Sequence, residues 1–404
     1  MRSTHPRSRS DVAQTATLVA RSFAGHYDAL SDMFTLDQRG DPGARPEYWR
    51  VIRRRGRIVA HVGIYDKPVR IGRAVLRMGG LGFVCCDPAW RRRGFAGTCV
   101  KDALAVMRNA GIQLSFLFGI SRYYDRFGYV GCFPAFTLKI AVNELRELRN
   151  PFRLAACSPR DVPALAALYN AAAAATPASV VRDAARTRYA LKRWKLLEKA
   201  KDGRAPLLLF RERKPRGAVR AYLVWRDNLF WEAGMRPGDE QACAAVLAWL
   251  RDKRRETLEK EVVLQNFCPA HPLWAYAERF NHTCERSLNW VGGGMGCIVD
   301  VSAFLAAMQP EFEARVRAAA HDGPARAILR VGGRTHTFSV KPVGAACGGE
   351  LAARVACTPQ ALLQMVLGTL PYQVIPGVKT DGSPALLRAL FPVSTPAVYR
   401  LDGF

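Results

Sequence analysis

One segment restricts the fold of this chain more than any other: Val84-Cys85-Cys86-Asp87-Pro88-Ala89-Trp90-Arg91-Arg92-Arg93-Gly94-Phe95-Ala96-Gly97. Phe83 to Cys86 is a short apolar strand, and Asp87-Pro88 ends it because proline has no amide hydrogen to donate. From Phe95 onward Val100, Ala103, Leu104 and Met107 recur at helical spacing, and Asn109-Ala110-Gly111 supplies the stop. Ile112 to Phe118 reads as the next strand. Strand, basic turn, helix, strand is a β-α-β unit, which puts the turn at a helix N-terminus with unpaired backbone N–H groups and a positive dipole end. Such a turn can seat a pyrophosphate, and Gly94 lets the backbone approach it. Taken alone, Arg-Arg-Arg-Gly reads more readily as a solvated basic turn before a core helix. The strand and helix around it reverse that preference.

Around this unit lie a helix over Asp11 to Phe23 and two paired strands, Arg57 to Tyr65 and Val69 to Arg77, with a turn expected at Asp66-Lys67-Pro68. A short helix, Arg122 to Phe127, and a strand, Phe133 to Ile140, follow. The same plan then returns: strand Asn228 to Ala233, turn Met235 to Asp239, helix Gln241 to Arg251, strand Glu261 to Phe267. Trp274 to Asn281 echoes Arg122 to Gly128, with Tyr124 standing 36 residues after Pro88 and Tyr276 39 after Pro237. A tandem duplication is inferred, the second copy having lost the Arg-Arg-Arg-Gly turn. Gly292-Gly293-Gly294 marks a further boundary. Beyond it Val299 to Met308, a hairpin of Ala327 to Val331 with Thr335 to Val340, and the helix Thr358 to Leu367 describe a compact α+β domain. A chain of 404 residues suits three domains at ~150 each. They are expected at 1–145, 146–291 and 292–404, giving an α+β fold of two related mixed-sheet domains with flanking helices and a smaller third domain.

Composition narrows the function classes. Apolar residues make up 49% and charged residues 23%, the balance of a globular protein. The formal charge of +26 would attract nucleic acid, anionic membranes or phosphorylated cofactors alike. It is spread over Arg53 to Arg55, Arg91 to Arg93, Arg186 to Lys201 and Arg251 to Arg255, so most of it reads as solvated faces. Eleven cysteines without a Cys-x-x-Cys argue against a disulfide framework or a zinc site, and no metal is expected. No apolar run reaches the ~18 residues of a membrane span. Met1 to Ser10 lacks the apolar core of a signal peptide, although Arg2, Arg7 and Arg9 among serines faintly resemble a transit peptide. Cytoplasmic residence is expected.

Arg91 to Ala96 fits the pattern Arg/Gln-x-x-Gly-x-Gly/Ala, and the segment thereby resembles motif A of the GNAT superfamily of acetyltransferases. The chain as a whole is similar to the Eis (enhanced intracellular survival) family, by motif in its first domain and by architecture elsewhere. That family has two tandem GNAT-like domains and a sterol-carrier-protein-like third domain. The resemblance implies an N-acetyltransferase that moves acetyl from acetyl-CoA directly to a primary amine of a small molecule or a peptide lysine, working as a homo-oligomer. Carried over by position, the acetyl-CoA contacts would be Val84, Cys85 and Cys86 on the strand and Arg92, Arg93, Gly94, Phe95, Ala96 and Gly97 on the turn. A further contact belongs in the loop Phe118 to Arg122, which is one residue short of the family's pattern.

Tyr124-Asp125-Arg126-Phe127-Gly128-Tyr129 matches the family motif Tyr-x-Arg-Phe-Gly-Tyr, whose first Tyr is the general acid. A thiol near ~8.5 against a phenol near ~10 makes Tyr124 a weak but usable proton donor to departing CoA. Tyr123 is the neighbour with which it can be confused, and a ring packed beneath the sheet is the alternative, preferred for Tyr276. The resemblance also implies that the carboxylate of Phe404 is the base. At ~3.5 against an ammonium near ~10, it must act after burial, through water, or by orienting the amine. Alternatively Phe404 packs on the third domain, or Asp402 supplies the carboxylate. His61 reads as a sheet residue, and Cys85 and Cys86 as packing, because direct transfer needs no nucleophile. Asp28, Asp32, Asp37, Glu47 and Asp66 are the acidic candidates for holding a cationic substrate. Two rival functions stand beside the enzyme: a nucleic-acid-binding regulator built of degenerate acetyltransferase domains, and a lipid carrier with Leu362, Leu363, Met365 and Val366 lining a cavity.

Overall fold

A computed structural model describes residues 2–23, 40–199, 207–226, 229–265, 268–319, 323–341, 349–399 and 402–403. The chain opens with α1 (Arg9–Ser22), started by a capping box in which Ser8 Oγ accepts from the Asp11 amide and the Asp11 carboxylate accepts from the Ser8 amide. Leu18 and Val19 on its inner face pack on the first sheet. There β1 (Arg50–Arg54), β2 (Arg57–Ile71) and β3 (Ala74–Cys86) run antiparallel in sequence, and α2 (Phe95–Asn109) crosses over to β4 (Leu114–Gly119), which lies parallel to β3. This is the β-α-β unit expected from the sequence. Gly79 makes the packing close: a Cβ there would sit 2.7 Å from Cε of Met107 on α2.

The expected turn at Asp66-Lys67-Pro68 is instead the middle of the long strand β2, and the hairpin reverses at Gly72-Arg73. Asp66 is paired with Arg77 at 2.5 Å, and Lys67 is buried 3.8 Å from Asp41. Partnered in this way, both charges remain within the strand. At Gly72 φ is +56°, and a side chain would collide with the Glu311 carboxylate, which accepts from the Arg73 amide at 2.7 Å.

After β5 (Val130–Phe133) and Pro134 the chain enters β6 (Ala135–Ala141) and leaves the first sheet. The middle of the chain carries β7 (Arg153–Ala156), α3 (Val162–Ala172), β8 (Ser179–Val180), α4 (Ala184–Lys199), β9 (Leu207–Arg211), β10 (Val219–Arg226) and β11 (Leu229–Met235). It continues with α5 (Glu240–Glu256), β12 (Glu261–Gln265), α6 (Pro272–Ala277) and β13 (His282–Ser287). Its sheets have the orders β11-β10-β9-β7 and β12-β6-β13, so β6 sits between two strands more than a hundred residues later. The exchange is reciprocal: β14 (Gly293–Ile298) inserts between β4 and β5 of the first sheet. The expected boundaries at 145/146 and 291/292 thus fall beside two traded strands.

The last part contains α7 (Val301–Ala318), β15 (Ala325–Val331), β16 (Arg334–Val340), β17 (Leu351–Cys357), α8 (Pro359–Leu367), β18 (Lys379–Gly382) and α9 (Pro384–Leu390), with sheet order β16-β15-β17-β18. Its core is continuous with one face of the first sheet, where Val69, Ile71, Leu76 and Met78 meet Phe304, Met308 and Phe312. Leu362, Leu363, Met365 and Val366 are fully buried in that core. Every described cysteine is a free thiol. Among the described residues no helix is long and apolar enough to cross a membrane, and no group of three or more His, Cys, Asp or Glu could hold a metal ion.

Candidate active site

β3 and β4 pair only over Met78↔Leu114, Gly79↔Ser115 and Gly80↔Phe116. Beyond Gly80 the two strands diverge, and Leu81 to Cys86 keep β2 alone as a partner. A bulge enforces the divergence. Against β2 the register passes from His61↔Cys85 to Gly63↔Gly82, leaving Phe83 and Val84 opposite the single residue Val62, with Phe83 at φ +49°. Val84, Cys85 and Cys86 on this splayed stretch of β3 line a cleft.

The turn at the top of β3 is shaped by its own side chains. Asp87 accepts from the Ala89 amide at 3.0 Å and starts a single helical turn, Pro88–Trp90. Trp90 stacks on Phe95 at 6.0 Å, Arg93 lies 4.8 Å over the Trp90 ring, and Arg54 lies 5.1 Å over Phe95. Gly94, at φ +78°, is the N-cap of α2, with no side-chain cap and no acidic residue in the first turn. A Cβ on Gly94 would meet nothing within 4 Å. Uncapped N–H groups, a positive dipole end and nearby arginines are the features that can seat an anion.

The corresponding turn in the middle of the chain, before α5, has the opposite character. Its N-cap, Asp239, accepts from the Ala242 amide at 3.1 Å, and Glu240 stands in the first turn. Asp239 also holds Arg220 at 2.8 Å, and the cleft of about 670 Å³ around this turn includes Glu212 and Glu240. The first turn of α5 is thus capped and surrounded by carboxylates.

A cleft of about 590 Å³ runs from the Gly94 turn to the short helix after β4. Of the residues singled out from sequence, Val84, Cys85, Cys86, Arg92, Gly94, Phe95, Ala96, Gly97 and Tyr124 line it together. Arg93 does not; its guanidinium is turned onto Trp90. Tyr124 is 8% exposed, its ring edge-on to Tyr123 at 4.8 Å and to Tyr129 at 6.1 Å. Gly119 makes room for that ring, since a Cβ there would lie 2.5 Å from Tyr124 Cδ2. Beneath it Tyr129 and Ser115 share a hydrogen bond of 2.6 Å, and Ser115 Oγ donates to the Gly79 carbonyl at 2.7 Å. Burial pushes the Tyr124 phenol well above its ordinary value.

Burial also raises the Cys85 thiol to about 12 and lifts Cys86, so both remain thiols near neutral pH. His61 is held neutral, its value lowered to about 4 by burial. Its Nδ1 lies 3.0 Å from the Phe83 carbonyl, an obligate acceptor, and therefore carries the proton. It braces the bulge. Trp90 and Arg91 of the basic turn, Ile120 of the loop in which a further contact was expected, and Tyr123 and Arg126 beside the tyrosine also line the cleft, together with Ser22 and Phe23 from the end of α1. Ile120 is 70% exposed, and only Ser22 and Phe23 had no signal in the sequence. Glu47 and Asp66 are absent from the lining. Phe404, Asp28, Asp32 and Asp37 lie outside the described residues. Asp402 is buried with both carboxylate oxygens engaged by Arg182 and Tyr169.

Residues 4–131 match the acetyltransferase (GNAT) domain family. No curated protein sequence matches the chain. Among solved structures, a GCN5-related N-acetyltransferase from Anabaena variabilis superposes with a TM-score of 0.71 at 14% identity, covering 99% of each chain. A GCN5-related N-acetyltransferase from Kribbella flavida gives 0.67 at 17% identity, covering 99% of this chain and 97% of that one. Eis1 from Mycobacterium abscessus gives 0.66 at 16% identity over 100% of both. At these identities the likeness concerns the fold.

Proposed function

We propose, from the premise that residues 4–131 are a GNAT-type acetyltransferase domain, that the chain transfers acetyl from acetyl-CoA directly to a primary amine. The observation that supports this most is the union in one cleft of an uncapped helix N-terminus, a strand splayed from its parallel neighbour and a buried tyrosine. The turn amides of Phe95, Ala96 and Gly97, with Arg92, suit a pyrophosphate. The β3 edge at Val84 and Cys86 suits the amides of a pantetheine arm. Bound there, acetyl-CoA supplies a thioester, whose carbon the amine attacks and whose sulfur leaves.

In this reading the N–C bond forms as the C–S bond breaks. Tyr124 donates its proton to the departing sulfur, and the amine's proton passes to a base. The Phe404 carboxylate takes that base or orienting role. The second GNAT-like copy binds no cofactor, because Asp239 and Glu240 already occupy the anion seat, and the third, sterol-carrier-like part is a scaffold. Titration with acetyl-CoA should therefore give about one site per chain, and a lysine-containing peptide should release free thiol. Two equivalent sites, or no thiol release with any primary amine, would overturn this function.

The buried phenol makes a further prediction about pH. A general acid is lost as pH rises through its pKa, and burial has moved that of Tyr124 above the usual ~10. With saturating amine, kcat is expected to rise with pH and hold its plateau to about pH 10. A fall in kcat near pH 8 in a stopped-flow thiol assay would place the essential acid elsewhere.

A further inference from the structure

Arg126 lies on the short helix Asp125–Phe127, lines the cleft, and is spread over two rings, 4.3 Å from the centre of Tyr123 and 4.9 Å from that of Phe127. Those ring faces hold an exposed side chain in place. They hold it beside α2, where a Cβ on Gly97 would lie 3.4 Å from Phe127 Cζ and 3.9 Å from Arg126 Nη2. Gly97 is the third residue of α2, in the turn that has neither a side-chain cap nor an acidic residue. Among the described residues no carboxylate pairs with Arg126, and those that line the cleft include no Asp or Glu. Arg91, Arg92 and Arg126 thus share a cleft without a counter-charge, an imbalance that attracts an anion.

The middle of the chain contains the same device with its partner present. Tyr276-Ala277-Glu278-Arg279-Phe280 has the spacing of Tyr123-Tyr124-Asp125-Arg126-Phe127, and it follows α5 and β12 as the other follows α2 and β4. Arg279 lies 4.9 Å over the Tyr276 ring, as Arg126 does over Tyr123. There the guanidinium meets an anion. Its Nη2 donates to Glu240 Oε1 at 2.6 Å, and Glu240 is the first residue of α5. An arginine held on a tyrosine face therefore spans from the short helix to the first turn of the longer one. At α2 the corresponding turn offers no carboxylate, so the cation is left for a ligand.

We propose that Arg126 is an acetyl-CoA-binding residue that grips the pyrophosphate from the Tyr124 side of the cleft, in the way that Arg279 grips Glu240. The proposal deepens the reading above and rests on its seating of the cofactor at the Gly94 turn. A guanidinium presents parallel N–H donors to a phosphate, which makes the contact both charge-assisted and directional. Once engaged, Arg126 also fixes the acid, because Tyr124 is the N-cap of the same short helix.

In a calorimetric titration Arg126→Gln is expected to weaken CoA by about 10- to 100-fold, the usual loss of a charge-assisted contact, with melting temperature near the parent's. Dephospho-CoA, which keeps the pyrophosphate and lacks the 3′-phosphate, should lose affinity by the same factor. Arg126→Lys keeps the charge without the fork and should fall between parent and Arg126→Gln. With a lysine-containing peptide as acceptor, the parent's preference in kcat/KM for acetyl-CoA over S-acetylpantetheine, which carries no phosphate, should narrow in Arg126→Gln by that factor as well. Parent-like CoA affinity in Arg126→Gln overturns the proposal. So does an equal loss with S-acetylpantetheine, which would leave Arg126 only a support for the rings of Tyr123 and Phe127. A loss seen with CoA and absent with dephospho-CoA moves the side chain to the 3′-phosphate and overturns the pyrophosphate contact. A parent chain that binds no CoA overturns the function proposed above, and the role of Arg126 with it.

Discussion

Tyr124→Phe is expected to lower kcat by ~100-fold or more, the typical loss of a positioned general acid, with acetyl-CoA affinity unchanged. The phenylalanine keeps the ring, and the ring is what the fold uses: it fills the space left by Gly119 and packs on Tyr123 and Tyr129. Only the hydroxyl is lost, so melting temperature should barely move. Tyr123→Phe is the control. Its ring is held by the Arg126 guanidinium at 4.3 Å, a contact that needs no hydroxyl, and turnover should stay within a few-fold of the parent. Steady-state thiol release on both variants decides the matter, and an exchange of their behaviours would assign the acid to Tyr123.

The second large effect is expected at Gly94. An aspartate there would do at α2 what Asp239 does at α5, capping the first-turn amides with its own carboxylate and placing a negative charge in the anion seat. Two like charges ~4 Å apart near a protein surface repel by roughly 4 kcal/mol, far more than the tenfold per ~1.4 kcal/mol needed for a visible change. Acetyl-CoA affinity in Gly94→Asp is therefore expected to drop by ~100-fold or more in a calorimetric titration. Gly94→Ala separates charge from backbone strain. Its Cβ enters open space, so its cost is that of a left-handed residue, about 1–2 kcal/mol, without repulsion. Equal losses in the two variants would mean that the turn does not bind an anion.

The parts of the site legible in the sequence are those whose chemistry is local. Asp87-Pro88 stops a strand, Gly94 takes a left-handed conformation and the apolar spacing from Phe95 makes a helix wherever these residues occur together. Arg93 shows the limit of such reading: its position matched the pattern, but the face of Trp90 beside it took up the guanidinium. Asp66-Lys67-Pro68 looked like a turn because charge next to proline favours one. The partners that keep it in a strand, Arg77 and Asp41, could not be read from the segment itself. The contribution of Ser22 and Phe23 from α1 to the cleft had no local signal either. Alternation along a strand tells which face is buried and is silent about which strand lies alongside. So β14 read as the start of a new domain, although its neighbours are β4 and β5.

That exchange of strands has a consequence for how the protein comes into being. On the ribosome, β4 and β5 emerge with a strand-wide gap between them, and Gly131 must wait for Met295 before the sheet can close. β6 likewise waits for β12 and β13. Neither half can mature in the order in which it is made, and the sheet that carries the cleft is completed only after nearly three quarters of the chain has been synthesised. Nascent chains shorter than this expose open sheet edges, the surfaces most prone to pair with a neighbour. Synthesis of this protein therefore carries a long interval of vulnerability, set by topology rather than by stability, during which a holding chaperone has the most to protect.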